Sequence, residues 1–363
     1  MLRVLVPRAQ EFGIREYLEL WGSELAEHLA LIHYEDLPGR THLPSGTYIL
    51  TAFDQLTAEG MRLAHHVESR IREAGPPGRV LNATGRTLRR FELLDALWRQ
   101  GLNQHRAIRA VDSPAGLRYP VFVREEFRHT GAISRLLRSE AELRAALAMA
   151  LLRGFRLEEL LIVEFCDTAD TAGDYRKYAA FTIGQRIVPQ FMNRARSWML
   201  SLGDTQWSPE MIREERAYLE ENPHQDALRR IFALAGVEFG RIDYALRDGA
   251  IETWEINLNP TLARYPTLPG ELHQLREGTK HAFYRQFLTA IRELDQPVPA
   301  ATLPIAMGAD QPPSGPLIRP EHRERWPSGL VRAARPLRPL LEPVLELAAP
   351  LILGLFARRR AAA

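Results

Sequence analysis

Short apolar runs alternate with helical patterns along the first 110 residues. Three runs have the length of strands, at 2–6, 47–53 and 80–81. Apolar residues recur at helical spacing over 57–74 and 91–100. Strands that alternate with helices are typical of a small parallel α/β unit. We therefore predict an N-terminal α/β domain over residues 1–110.

The pattern then changes to β-α-β-β. Strands are predicted at 118–126, 160–165 and 178–184, and a helix at 139–153. Ser139 and Glu142 stand in the capping-box arrangement at the start of that helix. A second hairpin arm, a mostly helical stretch, two strands and a last helix follow, at 184–192, 200–234, 240–260 and 271–294. The predicted class is α/β, becoming α+β in the C-terminal part, with domains at 111–185 and 186–296.

The composition shifts after Gln296, where Pro, Arg and Ala dominate. One interpretation of this tail, residues 297–363, is a proline-rich linker with weak structure. Its last apolar stretch, LELAAPLILGLFARRR at 345–360, also fits an amphipathic surface helix that contacts a membrane or a partner protein. Both interpretations stay open at the level of sequence.

The stretch GRIDYALRDGAIETWEINLNP, residues 240–260, combines β-strand alternation with acids and amides. Its Asp-Gly dipeptide is typical of a hairpin turn. A three-residue loop, 247–249, pairs odd positions with odd ones, whereas a two-residue loop would set Asp243 beside Trp254. We therefore predict the three-residue loop. One face then carries Asp243, Thr253, Glu255, Asn257 and Asn259.

Carboxylate and amide oxygens on one face are hard ligands, suited to Mg²⁺ held together with substrate phosphates. The alternative is a half-exposed sheet whose polar face meets water. That alternative does not explain why short acids and amides, which are poor β-formers, fill these positions. A calcium or zinc site is disfavoured, because the sequence has neither EF-hand spacing nor a His-x-x-x-His pair.

Composition narrows the class of protein. The formal net charge of +2 gives no argument for a nucleic-acid partner. Only Lys177 and Lys280 are lysines among the 47 basic residues, so an arginine can stand where other proteins use lysine. A single cysteine, Cys166, excludes an internal disulfide and fits a reducing cytoplasm. No apolar stretch has the length of an ordinary membrane-spanning helix or secretory signal.

The hairpin resembles the metal-binding end of the ATP-grasp superfamily. An acid closes one strand, and a Glu-x-Asn with Pro soon after follows on the next. The superfamily includes D-alanine–D-alanine ligase, glutathione synthetase and ribosomal-protein glutamate ligases. The resemblance implies Asp243 on one Mg²⁺, Glu255 bridging two and Asn257 on the second, with Mn²⁺ as the alternative metal. It covers residues 80–262 and implies an ATP-grasp fold preceded by an α/β domain.

Other stretches resemble the family's nucleotide-binding segments in the same order along the chain. Arg124 ends a strand at the position where the family has a phosphate-contacting lysine. The family has a second such lysine before the helix that enters the central domain, and this chain has Arg90 at that place. LIVEFCD resembles the hinge strand, which implies that Glu164, Phe165 and Cys166 receive the adenine. The alternative for Arg124 is an ordinary surface arginine. The alternative for Glu164 is the end of a buried core strand.

GDYRKYAAFTIGQRIVPQFMNRARSW, residues 173–198, resembles the family's next hairpin. The resemblance implies Arg176 near the γ-phosphate or acyl-phosphate, and Asp174 at the ribose or in a local salt-bridge network. It also implies that Arg194 and Arg196 bind anions, with Arg176 and Arg194 as the catalytic pair. A solvated surface is the alternative for each arginine taken alone.

The resemblance implies an ATP- and Mg²⁺-dependent ligase. A substrate carboxylate attacks the γ-phosphate of ATP, and an amine then displaces phosphate from the acyl-phosphate. Both substrates would be small molecules or peptides. Two alternatives stay open: a kinase of the same fold that phosphorylates a small-molecule hydroxyl, and a degenerate nucleotide-binding protein without turnover.

Overall fold

The computed structural model of the protein describes residues 1–76, 78–129, 131–200, 202–262, 268–307, 313–320 and 338–361. The chain divides into two compact units. The first contains Met1–Arg89 and Thr168–Arg319, and the second contains Arg90–Asp167 and Pro320–Ala363. The four-part domain division expected from the sequence stays a prediction.

The first unit opens with a parallel sheet and two helices. Its elements are β1 (Leu2–Val6), α1 (Phe12–Leu20), β2 (Leu29–His33), β3 (His42–Pro44), β4 (Gly46–Leu50), α2 (Ala58–Glu73) and β5 (Gly78–Leu81). The strand order is β2-β1-β4-β5, and each neighbouring pair is parallel. The predicted N-terminal α/β topology is thus confirmed. Strand β2, which pairs with β1, was not predicted.

An antiparallel sheet with three helices completes the first unit. Its elements are β9 (Tyr175–Ile183), β10 (Arg186–Ala195), α5 (Pro209–Glu221), α6 (Gln225–Ala235), β11 (Phe239–Arg247), β12 (Ala250–Asn257) and α7 (Gly270–Leu294). The strand order is β10-β9-β11-β12. Phe181 packs against Phe239 of the same sheet and against Phe283 and Phe287 of α7. The core that contains these rings also includes Leu2 of the parallel sheet. One apolar core therefore supports both sheets of this unit.

The second unit is built on a smaller antiparallel sheet. Its elements are α3 (Arg90–Arg99), β6 (Ala107–Arg109), β7 (Val121–Glu125), α4 (Glu140–Arg153), β8 (Leu160–Glu164) and α8 (Arg338–Ala361). The strand order is β6-β8-β7, and α8 packs against α4. The Ser139 hydroxyl accepts a hydrogen bond from the Glu142 N–H at 3.2 Å, so α4 begins where the capping motif predicts.

The tail is more ordered than the linker interpretation allows. Strand β13 (Thr302–Pro304) pairs antiparallel with β3. Further along, the Thr57 N–H donates to the Leu317 carbonyl at 3.0 Å, and a Cβ on Gly60 would lie 2.2 Å from that same carbonyl oxygen. The linker interpretation is therefore wrong for 302–304 and 316–319, whereas 308–312 and 321–337 lie outside the described residues. Backbone contacts to β3 and to the chain at the start of α2 hold these residues, and such contacts leave no periodicity in the sequence.

None of the helices in the described ranges has both the length and the apolar character required to cross a bilayer.

Candidate functional site

The hairpin of β11 and β12 turns through two residues, not three. Arg247 pairs with Ala250, and Asp248 and Gly249 form the turn with φ angles of 52° and 79°. Positive φ at both central residues is the requirement of a type I′ turn, for which Asp-Gly is a preferred dipeptide. The predicted three-residue loop is therefore wrong.

A β-bulge beyond the turn nevertheless brings the acids together. Tyr244 pairs with Thr253, but the next pair is Asp243 with Glu255, so Trp254 is an extra residue on β12. The bulge restores the pairing of odd positions that the two-residue turn would have removed. Asp243 and Glu255 lie directly opposite each other and share a face of the sheet.

The same register decides which neighbours belong to that face. Asn257 lies opposite Arg241, two residues from Asp243, so it shares the face as predicted. Thr253 lies opposite Tyr244 and so belongs to the other face, contrary to the expectation. Glu252, opposite Ala245, takes its place and is completely buried. The sequence could not reveal this exchange, because nothing in the alternation marks Trp254 as the bulged residue.

Asp243 is a buried carboxylate between two cations. Its Oδ2 lies 2.7 Å from Nζ of Lys177, and its Oδ1 lies 2.8 Å from Nε of Arg241. Burial by itself raises the pKa of Asp243, and the facing Glu255 acts in the same direction. Arg241 and Lys177 outweigh both and hold the pKa below its ordinary value. Asp243 is therefore ionised at neutral pH.

Lys177 and Arg241 are functional candidates that the sequence reasoning missed. Lys177 lies on β9 opposite Asn193, and Arg241 also lies over the ring of Phe191, with 5.4 Å from the guanidinium carbon to the ring centroid. One signal was available for each residue. Lys177 is one of two lysines in an arginine-rich chain, and Arg241 stands two positions before Asp243 in a strand, hence on the same face.

The amide of Asn257 is oriented by the backbone that follows it. Its Oδ1 accepts a hydrogen bond from the Asn259 N–H at 2.8 Å, and Nδ2 of Asn259 donates to the Gln10 carbonyl at 2.8 Å. A carbonyl-type oxygen has two lone pairs, so the Asn257 oxygen can accept this bond and still act as a ligand. Asn259 thus fixes the local chain after β12 instead of extending the acidic face.

A second group of charges lies along β9 and β10. Arg176 contacts Asp170 at 2.6 Å and Glu214 at 2.5 Å, and Arg194, opposite Arg176 in the register, lies 3.3 Å from the same Glu214. Hydrogen bonds from Arg176 and from backbone N–H groups lower the pKa of Asp170 to about 2. The two arginines predicted as a catalytic pair are thus brought together by one glutamate.

Asp174 belongs to this group through weaker contacts. Its carboxylate lies 3.9 Å from Nε of Arg194 and 3.5 Å from Nε of Arg196. Of the two roles that the resemblance implied for Asp174, this geometry favours the local salt-bridge network.

In the second unit, Arg90 organises the chain that follows β7. Its guanidinium donates to the backbone carbonyls of Glu125, Glu126 and Arg128 at 3.0, 2.6 and 2.7 Å. Arg124 is buried within β7. Arg124 therefore lies within β7, and Arg90 of α3 fixes the backbone carbonyls at the end of that strand and just after it.

The predicted hinge residues lie at the end of β8. The Glu164 carboxylate accepts hydrogen bonds from the backbone and guanidinium N–H groups of Arg118 at 2.7 to 3.1 Å. The Phe165 N–H donates to the Pro120 carbonyl at 2.9 Å, and Cys166 is buried. Glu164 thus has a structural role at the strand end, while an adenine contact from these residues stays a prediction.

Comparisons with known proteins return solved structures alone. No protein-family model and no curated protein sequence matches the chain. The chain is similar to a D-alanine–D-alanine ligase from Bacillus anthracis complexed with ATP, at 12% identity and a TM-score of 0.44, over 81% of this chain and 96% of that one. It is similar to the D-alanine–D-alanine ligase from Coxiella burnetii at 11% identity and a TM-score of 0.45, over 81% and 94%.

A third similar structure is a RimK domain protein ATP-grasp from Sphaerobacter thermophilus, at 14% identity and a TM-score of 0.41, over 80% of this chain and 100% of that one. The name of this third structure includes the superfamily that the hairpin sequence resembles.

Proposed function

We propose that the protein is an ATP- and Mg²⁺-dependent ligase that joins a carboxylate to an amine through an acyl-phosphate. The observation that carries this proposal is the pair Asp243 and Glu255, directly opposed on one sheet face with Asn257 beside them. Two facing carboxylates in an ordinary sheet would repel each other. A face built this way is therefore better explained by a cation than by packing.

The donor set fits Mg²⁺. Asp243, Glu255 and Asn257 would hold the ion through two carboxylates and an amide oxygen, the hard ligands that Mg²⁺ takes together with phosphate oxygens. When bound, Mg²⁺ would neutralise charge on the β- and γ-phosphates of ATP. The ionised state of Asp243 supports this assignment, since a ligand carboxylate must be deprotonated.

Lys177 and Arg241 give the same face its counter-charges. Lys177 lies 2.7 Å from Asp243, so its ammonium offsets the charge of a carboxylate that is proposed as a metal ligand. We propose that Lys177 transfers its contact from Asp243 to a phosphate oxygen when Mg·ATP binds. Arg241, tied to both oxygens of Asp243 at 2.8 and 3.4 Å, keeps that carboxylate oriented during the exchange.

Arg176 and Arg194 are proposed to meet the anionic reacting groups. Each is already paired with Glu214, and Arg176 also with Asp170. Substrate anions would therefore have to compete with these carboxylates. The pairing holds both guanidinium groups in a defined position, which is the main contribution a protein makes to phosphoryl transfer.

The test is a turnover assay that follows ADP and phosphate separately, with a panel of carboxylate and amine pairs. Glu255→Gln and Asn257→Ala are expected to abolish Mg·ATP-dependent turnover while the protein remains folded. Glu220→Gln serves as the matched control, because Glu220 is an exposed residue of α5 that pairs with Arg216. Full activity in both site variants would refute the metal assignment.

The same assay separates the alternative functions. Release of both ADP and phosphate that depends on a carboxylate and an amine supports a ligase. Formation of ADP without phosphate supports the kinase, because the phosphoryl group then stays on the substrate. Nucleotide binding without turnover for any pair supports the degenerate protein, an outcome favoured by the engagement of Arg90 with three backbone carbonyls.

A further inference from the structure

The outer face of α8 is apolar where a surface helix is normally polar. Over residues 343–354 the exposed positions are all uncharged and nonpolar: Pro343, Val344, Leu347, Pro350, Leu351 and Gly354. Val344, Leu347 and Leu351 are 62%, 85% and 69% exposed. At 100° per residue, the six positions fall within one arc of about 120°. This set, called the α8 outer face below, is contiguous along three turns.

The opposite side of α8 explains why this face points outward. Ala349 is completely buried, Leu353 packs on the core of the second unit, and α8 lies against α4. The helix has therefore already buried one apolar side. Glu346 lies at the margin of the arc and is half-buried, so it does not interrupt the outer face.

Charge accompanies the apolar face. The sequence from Arg325 to Ala363 contains seven arginines and two acidic residues, a formal charge of +5 in a chain whose total is +2. Three of these arginines, Arg358, Arg359 and Arg360, are consecutive within the last turns of α8. An apolar stripe that ends in a basic cluster combines the two attractions that hold a helix in the plane of a lipid interface.

We propose that α8 docks the protein on a membrane surface containing anionic lipid, with the outer face in the boundary between headgroups and acyl chains. None of the described helices can span a bilayer, so this contact would be peripheral. A second copy of the chain is a weaker occupant, for two reasons. Three large side chains cannot supply the roughly 800 Å² that each partner buries in a specific interface, and a copy would bring the same positive charge to the contact.

The experiment is sedimentation of the full chain with vesicles of phosphatidylcholine containing phosphatidylglycerol, compared with vesicles of phosphatidylcholine alone. We expect binding to the anionic vesicles that weakens as salt is added. The triple variant Arg358→Gln, Arg359→Gln, Arg360→Gln is expected to bind about 100-fold more weakly, since each arginine near the surface contributes about fivefold. Leu347→Gln and Leu351→Gln are each expected to weaken binding about tenfold.

A charge-matched control removes three exposed arginines of the same unit that do not belong to α8. Arg99, Arg144 and Arg156 have side chains that are 71%, 54% and 72% exposed. Their triple change to Gln removes the same charge and should leave vesicle binding near that of the unmodified chain. Equal loss in both triple variants would overturn the proposal, because attraction would then reflect net charge alone.

Two further outcomes would also overturn it. One is absence of binding to either kind of vesicle. The other is that the unmodified chain does not bind vesicles but forms a dimer whose population depends on concentration, as measured by analytical ultracentrifugation. Loss of this dimer in Leu347→Gln would then assign the outer face to a contact between two copies of the chain. Because Leu347 is 85% exposed, its substitution should leave the melting temperature unchanged, so a folding defect is readily distinguished from loss of docking.

Discussion

Removal of the Lys177 ammonium tests the charge balance at the hairpin most directly. Asp243 is 3% exposed and has two cationic partners, Lys177 at 2.7 Å and Arg241 at 2.8 Å. The negative charge of Glu255, which faces Asp243, acts in the opposite direction to these cations. Lys177→Met keeps most of the length of the side chain and removes its charge. The buried carboxylate of Asp243 then keeps its contact with Arg241 and loses its contact with Lys177.

The magnitude follows from the contact. Two unit charges about 4 Å apart near a protein surface interact by about 4 kcal/mol, and loss of one partner of a buried pair costs about 3 to 5 kcal/mol. Lys177 is 29% exposed and Arg241 remains in place, so the loss should lie at or below the lower end of this range. We expect Lys177→Met to lower the free energy of unfolding by about 2 to 3 kcal/mol in metal-free buffer.

The assay is urea unfolding with and without Mg²⁺. A metal that binds only the folded protein stabilises it, and the stabilisation grows with the ratio of the metal concentration to the Kd of the site. Because Lys177 no longer competes for Asp243 in the variant, Mg²⁺ should recover more stability in Lys177→Met than in the unmodified protein.

Lys280→Met is the matched control, since Lys280 is the other lysine and pairs with Glu277 at 2.6 Å on α7. Any loss of stability in this control should be insensitive to Mg²⁺. The proposed charge balance at Asp243 is refuted if Lys177→Met is as stable as the unmodified protein, or if Mg²⁺ stabilises all three proteins equally.

Three other changes test the turn, the arginine pair and the carboxylate. Gly249→Ala should lower the free energy of unfolding in urea by about 1 to 2 kcal/mol, because Gly249 has a positive φ. A Cβ at Gly249 would meet no atom within 4 Å, so the backbone conformation is the cause of this loss. Gly39→Ala is the control, since Gly39 is equally open but has no positive φ, and it should cost far less. Glu214→Gln should lower KM for the anionic substrate if the two arginines bind it, and a loss of stability with an unchanged KM would mean that they are structural. Asp243→Asn should destabilise the protein at neutral pH. The pKa of Asp243 is lowered in the folded protein, so the stability that its ionised carboxylate contributes is complete above the unfolded pKa of about 3.9 and is lost as pH falls below it. The unfolding free energies of the two proteins should therefore converge in acid. A difference that persists in acid would contradict this prediction.

The local features of the chain were readable from the sequence. Alternation over 240–260 predicted a hairpin with acids on one face, and the Asp-Gly dipeptide located its turn. Ser139 and Glu142 located the start of α4. These features depend on backbone period, burial and capping between residues a few positions apart, which leave their mark on neighbouring letters.

Only the tertiary structure decided how the candidate site is completed. The bulge at Trp254 returns Asp243 to a position opposite Glu255 and exchanges Thr253 for Glu252 on the acidic face. The counter-charge from Lys177 comes from a strand 66 positions away from Asp243 in the chain. The physical reason is that an ion pair depends on distance in space and on burial, and neither leaves a periodic trace in the sequence.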